Sequence, residues 1–234
     1  MLKIERLTKI YQKNKKAVDN ISLEIKDGEI FCFIGHNGAG KTTTLKCCVG
    51  ILKFEEGEIT LNGLSIEKNP VEFKKLIAYI PDNPDLYEQL TGIQYLNFIS
   101  DIYEIDGRNE RIEKYSDVFG IKDVLGNMIS SYSHGMKQKL ALISAIIRKP
   151  KLLILDEPFV GLDPKASFQI KEIMKEMCKE GTSIFFSTHV LEVAEKICDR
   201  VAIIKDGKIV ACGAMDEIKG DKSLEAVFME LIDE

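Results

Sequence analysis

A chain of 234 residues, 45% hydrophobic and 29% charged, has the composition of an ordinary soluble globular protein and the length for one large α/β domain. Its formal net charge of -5, from 32 Lys+Arg against 37 Asp+Glu, argues against a dedicated nucleic-acid binder, which needs a basic footprint. No run of roughly 18 apolar residues spans a membrane, Met1–Arg6 lacks the apolar core of a signal peptide, and the six cysteines show no C-x-x-C spacing. Thiols lying mostly in apolar runs read as buried groups in a reducing compartment. The chain is therefore expected in the cytoplasm, reaching a membrane only through a partner.

In chain order, residues 1–34 alternate short β-type runs (Leu2–Leu7, Ala17–Ile25, Glu29–Ile34) with polar turns. The Lys13, Lys15, Lys16 cluster reads as one such solvated turn. Strands over Gly57–Asn62 and Ser65–Glu67 flank Asn62-Gly63, a strong hairpin signal. From about Val71 to Pro150 the pattern turns helical, as in Ile93–Tyr103 and Lys137–Arg148. Short β-rich runs at Leu152–Leu155, Ser183–Ser187 and Val201–Lys205 then alternate with helical segments, which predicts a parallel sheet. Near the end, Leu224, Val227, Phe228 and Leu231 recur at helical spacing, as expected of a helix packing on the domain.

Residues Gly35–Thr42 fit G-x-x-x-x-G-K-[ST] and directly follow the apolar run Ile30–Ile34. A buried strand ends there, glycines turn the backbone sharply, and a helix is expected from about Lys41. Loop N–H groups (Gly35, Asn37, Gly38, Ala39, Gly40) and the helix start (Lys41, Thr42, Thr43) then converge on an anion. Lys41 adds a point charge and the Thr42 hydroxyl can reach Mg²⁺, so the pattern points to a nucleoside triphosphate.

The run Leu152–Leu155 ends abruptly in Asp156 and Glu157. Continuous apolar runs mark strands buried on both faces, and ligands of open parallel sheets sit beyond the strands' carboxyl ends. Asp156 is expected to hold Mg²⁺, and Glu157, pointing in another direction, to polarise an attacking water. Ser133 is expected to cap the helix that begins Ser133-His-Gly135, leaving N–H groups that would welcome an anion.

Together these motifs resemble the ATP-binding subunit of an ABC transporter over essentially the whole chain. Gly35–Thr42 resembles the family's phosphate loop, Ser133–Leu140 its signature sequence, and Leu152–Glu157 its metal-and-base strand. Gly161-Leu162-Asp163 is similar to the loop that follows, His189 to the switch histidine, and Tyr11 to the aromatic that stacks on adenine. The Ser133–Leu140 variant and the Ser223–Leu231 tail most resemble exporters of the ABC-2 type.

The resemblance implies an α/β P-loop NTPase core with a mostly parallel sheet, an N-terminal antiparallel β subdomain and an inserted α-helical subdomain at about 83–150. A C-terminal helical tail is expected at about 214–234, all within a single domain. It also implies a head-to-tail pair of ATPase subunits. In each site one subunit would give the phosphate loop, Asp156, Glu157 and His189, and the other Ser133 and Gly135 against the γ-phosphate. Asp163 is expected at the contact between subunits. A separate integral membrane permease is implied, holding the chain on the inner face of the cell membrane.

Several positions depart from the family pattern. His134 and Met136 stand where glycine and glutamine are usual, and Asp82, in Ile80–Pro84, stands where a Mg²⁺-contacting glutamine is usual. Asp82 is expected to reach the metal through water. The alternatives are a soluble ABC-type ATPase uncoupled from transport and a GTPase switch. For the latter, Asp117–Gly120 and Asp123–Gly126 satisfy D-x-x-G but lie away from a strand end, and no N-K-x-D occurs.

Overall fold

The computed structural model describes residues 1–11 and 15–233. The segment β1 (Leu2–Tyr11), β2 (Lys15–Ile25), β4 (Glu56–Leu61) and β5 (Leu64–Ser65) forms a four-stranded antiparallel sheet in the order β2-β1-β4-β5. Leu61 pairs with Leu64 across the expected Asn62-Gly63 turn, but β5 starts one residue earlier and is shorter than its apolar pattern suggested. Lys15 and Lys16 open β2 rather than lying in a turn, while Lys13 falls outside the described residues.

The second sheet has the order β10-β9-β3-β8-β7-β6. It comprises β3 (Ile30–Ile34), β6 (Ile77–Ile80), β7 (Leu152–Asp156), β8 (Ser183–Thr188), β9 (Arg200–Lys205) and β10 (Lys208–Ala214). All neighbours are parallel except β10 on β9. Strand β6 interrupts the stretch Val71–Pro150 expected to be helical. Four residues are too few for a period to register, and tertiary pairing to Leu152–Leu155 decides the conformation.

The continuous apolar runs reflect burial on both faces. In β3, Phe31 and Phe33 pack toward α1 (Lys41–Cys48) and the antiparallel sheet, while Ile30, Cys32 and Ile34 face the opposite layer. Phe185 of β8 sits between Phe31 and Phe33, with ring centroids 5.7 and 5.8 Å away. Truncating Phe185 to alanine is expected to cost about 3–5 kcal/mol by the cavity rule.

The opposite layer joins the sheet to α3 (Gly92–Ile102), α4 (Arg108–Val118) and α5 (His134–Ile146), which follow α2 (Pro70–Leu76) and β6 in the chain. Helix α3 starts at a capping box made by Thr91 and Gln94, and α5 is capped by Ser133. Asp117–Gly120 lies at the end of α4, in this helical layer.

Helices α6 (Pro164–Lys179) and α7 (Leu191–Ile197) complete the crossovers, and α8 (Met215–Lys219) and α9 (Leu224–Asp233) close the chain. Leu224 is buried and Phe228 packs against the core, so α9 covers the domain with part of its apolar stripe. Among the described residues, no helix is long and apolar enough to cross a membrane. Cys32, Cys47, Cys48 and Cys198 are buried free thiols, whereas Cys178 is half-buried and Cys212 exposed.

Candidate nucleotide site

The loop after β3 turns into α1 at Lys41, as its glycines predict. Gly40 adopts φ +112°, and a Cβ there would fall 2.4 Å from the Ala17 carbonyl oxygen, so no other residue fits. Gly40 also gives α1 no side-chain cap, unlike the starts of α3, α5 and α6. The helix start therefore presents its positive end to whatever occupies the loop.

Lys41 is buried and folds back along the loop. Its Nζ donates to the carbonyls of Gly35 at 2.6 Å and His36 at 3.3 Å and lies 3.6 Å from Glu157 Oε1. Thr42 is exposed at the mouth. His36, Asn37, Gly38, Gly40, Lys41, Thr42 and Thr43 line a cleft of about 210 Å³ with Ala17, Asp82 and Glu157. Beside it, Tyr11, Gly38 and Thr43 line a second cleft of about 290 Å³ with Lys15, Lys16, Ala17, Asp206 and Gly207. Tyr11 is 44% exposed beside the loop, its hydroxyl 3.5 Å from Thr43 Oγ1 and Lys9 Nζ 5.8 Å from its ring centroid.

Asp156 ends β7 on the α1 side of the sheet, paired in register with Ser187 of β8. It is 1% exposed. Ser187 Oγ donates to its Oδ1 at 2.5 Å, and its Oδ2 has no partner among the described residues. A buried carboxylate oxygen without a donor costs the full desolvation penalty, about 1–3 kcal/mol or more for a charged group. Such an oxygen suits a hard cation that prefers carboxylate and water ligands, so the residues fit Mg²⁺.

Glu157 turns out of the strand at φ +49°, a conformation sparsely populated by residues with a side chain. Its N–H donates to Ser187 O at 3.1 Å and Ser187 Oγ at 3.2 Å, which fixes the bend. The carboxylate then lies between Lys41 and His189. Oε2 is 3.0 Å from His189 Nδ1 and accepts the His189 N–H at 3.3 Å. His189 is 54% exposed, so its ring is open to a ligand arriving over the cleft.

The other expected contributors stand apart. Ser133 and Gly135 do not line the phosphate-loop cleft. Ser133 is exposed and its Oγ accepts the Met136 N–H at 3.3 Å. Gly135 faces the Gly161 carbonyl, and a Cβ on Gly161 would fall 2.9 Å from the His134 ring, so the α5 start and the loop after β7 are packed together. Asp163 caps α6 by accepting from the Ala166 N–H at 2.8 Å and pairs with Lys139 at 3.2 Å. The backbone hydrogen bond, then Lys139, holds its carboxyl below the usual carboxylate range.

Sequence reasoning missed two residues here. Ser187 braces both Asp156 and the Glu157 bend, and its only signal was its place two residues before His189. Tyr79, in the unforeseen β6, buries its hydroxyl oxygen without a partner among the described residues. Burial first, then the charges of Asp156 and Asp82, raises its pKa, so the phenol stays protonated.

With this geometry in hand, the comparisons with known proteins decide the family. The family model described as ABC transporter matches residues 18–160, more than half of the chain. The chain belongs to the ABC transporter family as an ATP-binding subunit. It is 39% identical over 221 residues to YxlF of Bacillus subtilis, an uncharacterized ABC transporter ATP-binding protein, covering 94% of this chain and 72% of that one. A solved ATP binding subunit of an ABC transporter superposes with TM-score 0.94 at 33% identity, covering 99% of both chains. The structure of cbiO1 from Clostridium perfringens, part of the ABC transporter complex cbiONQ, matches with TM-score 0.81 at 29% identity over 98% of this chain and 95% of that one.

Proposed function

We propose that this ABC ATPase hydrolyses ATP between two head-to-tail copies and uses the closure to drive a separate membrane permease, in the direction of export. The observation that carries the paired reading is the division of the site. Lys41 and His189 already meet on the Glu157 carboxylate, whereas Ser133 and Gly135 lie outside that cleft, Ser133 exposed and Gly135 half-buried. A capped helix start with free N–H groups suits a γ-phosphate presented by another copy. cbiO1, as part of a larger transporter complex, is the model for a permease partner; export rests on the resemblance of the signature variant and the tail.

In this reading adenine stacks on the Tyr11 ring and the phosphates lie in the loop of Gly35, Asn37, Gly38, Ala39 and Gly40. Lys41 leaves its carbonyl partners to meet phosphate oxygens, and Thr43 supports the same chain of phosphates. Asp156 Oδ2 and the Thr42 hydroxyl would hold Mg²⁺, with Asp82 contributing through water; the ion supplies neutralisation of phosphate charge. Glu157 accepts a proton from the attacking water as its oxygen bonds to the γ-phosphorus and the bond to ADP breaks. His189 orients Glu157 and contacts the γ-phosphate. The chain would then sit at the inner face of the membrane through its permease.

The test is Glu157→Gln. Turnover should fall about 10²–10⁴-fold, the range for losing a general base, while ATP still binds and ATP-bound dimers accumulate on size exclusion. Turnover near that of the unaltered chain would remove Glu157 from this role.

A further inference from the structure

The β6–β7 register brings a second polar group to the metal side of the sheet. Tyr79 pairs with Ile154, and Asp156 lies two residues further along β7 on the same face. Packing agrees with the register, because Tyr79, Ile154 and α1 residues Leu45 and Cys48 share one cluster, whereas Ala78, Ile80, Leu153 and Leu155 face the other layer. Neighbouring strands lie only about 4.8 Å apart, so residues on one face of the pair are within reach of a long aromatic side chain.

Two oxygens on this face are sealed from solvent and lack a partner among the described residues, Tyr79 Oη and Asp156 Oδ2. One is a phenol hydroxyl able to donate and the other a carboxylate oxygen able to accept. A phenylalanine would fill the same apolar space without burying a hydroxyl. We propose that Tyr79 is a positioning residue for the metal at Asp156, its hydroxyl donating to the water shell shared by the ion and Asp156 Oδ2. A small hydrated cation that keeps several waters needs such outer partners, and a buried water needs two to four polar neighbours. Groups that hold a ligand's remaining lone pairs fix its orientation and strengthen its grip on the metal.

This inference rests on the assignment of Asp156 to Mg²⁺, and the experiment separates the two. The full chain, as Tyr79→Phe and Asp156→Asn variants, is titrated with Mg²⁺ in the presence of a non-hydrolysable ATP analogue, and analogue binding is followed by fluorescence with and without EDTA. Tyr79→Phe should raise the Mg²⁺ concentration at half-saturation about tenfold, as loss of an outer-shell partner typically does, and leave analogue affinity in EDTA unchanged. An unaltered Mg²⁺ midpoint in Tyr79→Phe beside a shifted one in Asp156→Asn overturns the role of Tyr79, whose hydroxyl would then be a buried group with no ligand. Unaltered midpoints in both variants overturn the metal assignment and the inference together.

Discussion

The carboxyl ends of β3, β7 and β8 and the exposed start of α5 both carry residues assigned to one reaction, yet they are built differently. At the strand ends the groups interlock, and all but the exposed His189 are buried or half-buried: Ser187 on Asp156, the Glu157 bend on Ser187, and Lys41 and His189 on the Glu157 carboxylate. At α5, Ser133 makes a helix cap and is otherwise exposed, and Gly135 faces its own chain's Gly161. The first region is preorganised, with strain at Glu157 and an orphaned oxygen on Asp156 held in advance. The second offers only N–H groups and a hydroxyl. In the proposed pair, closure would bring the halves together and so tie chemistry to motion.

That contrast predicts different losses from the two regions. Lys41→Ala strikes the interlocked half. ATP affinity should fall about 10–100-fold, the loss of one charged hydrogen-bonding group, and turnover should vanish; calorimetry with ATP is the check. Ser133→Arg strikes the open half. Turnover should again vanish, but calorimetric ATP affinity of the isolated chain should stay unchanged, because Ser133 does not line the cleft. Equal loss of affinity in both variants would erase the distinction.

Asp82 tests the margin of the interlocked half, since it lines the cleft and its Oδ1 accepts the neighbouring Asn83 N–H. Asp82→Asn should raise the Mg²⁺ concentration for half-maximal hydrolysis by about two- to tenfold, the scale of one net hydrogen bond, with metal-free nucleotide affinity unchanged. Superimposable Mg²⁺ curves would make Asp82 a loop residue alone.

The smallest effect is expected at Asp163, beside the open half. Its carboxyl is held below the usual range by the Ala166 N–H, then by Lys139, so its contribution to stability is present above the unfolded-state carboxylate pKa. That contribution is lost as pH falls through the lower folded-state value. Asp163→Ala should thus lower the unfolding midpoint at neutral pH, and the difference should shrink in acid; a difference independent of pH would contradict the cap and ion-pair reading.

Much of this was legible in the sequence because chemistry and pattern coincide locally. The run Ile30–Ile34 into Gly35–Thr42 specifies strand, loop and helix in consecutive residues, and Leu152–Glu157 carries both its buried strand and its carboxylates. Ser133 is read as a cap from its own neighbours, whereas Asp163, expected at the contact between subunits, is shown as the cap of α6 by the structure alone. What escaped depends on pairing between distant segments. Ile77–Ile80 becomes a strand only because Leu152–Leu155 lies beside it, and the order β8-β7-β6 is what sets Ser187 on Asp156 and Tyr79 on the same sheet face. The unequal preparation of the two regions also depends on tertiary placement.

Mixing two inactive variants tests most directly whether the two regions complete one site across copies. Lys41→Ala supplies an intact Ser133 and Gly135, and Ser133→Arg supplies an intact phosphate loop with Asp156, Glu157 and His189. In a head-to-tail pair formed from the two, one site regains both halves and the other loses both. With random pairing and independent sites, an equimolar mixture should recover about a quarter of the ATPase activity of the unaltered chain, as two-fold symmetry dictates. No recovered activity, with mixed dimers detected by native mass spectrometry, would contradict a site shared between copies.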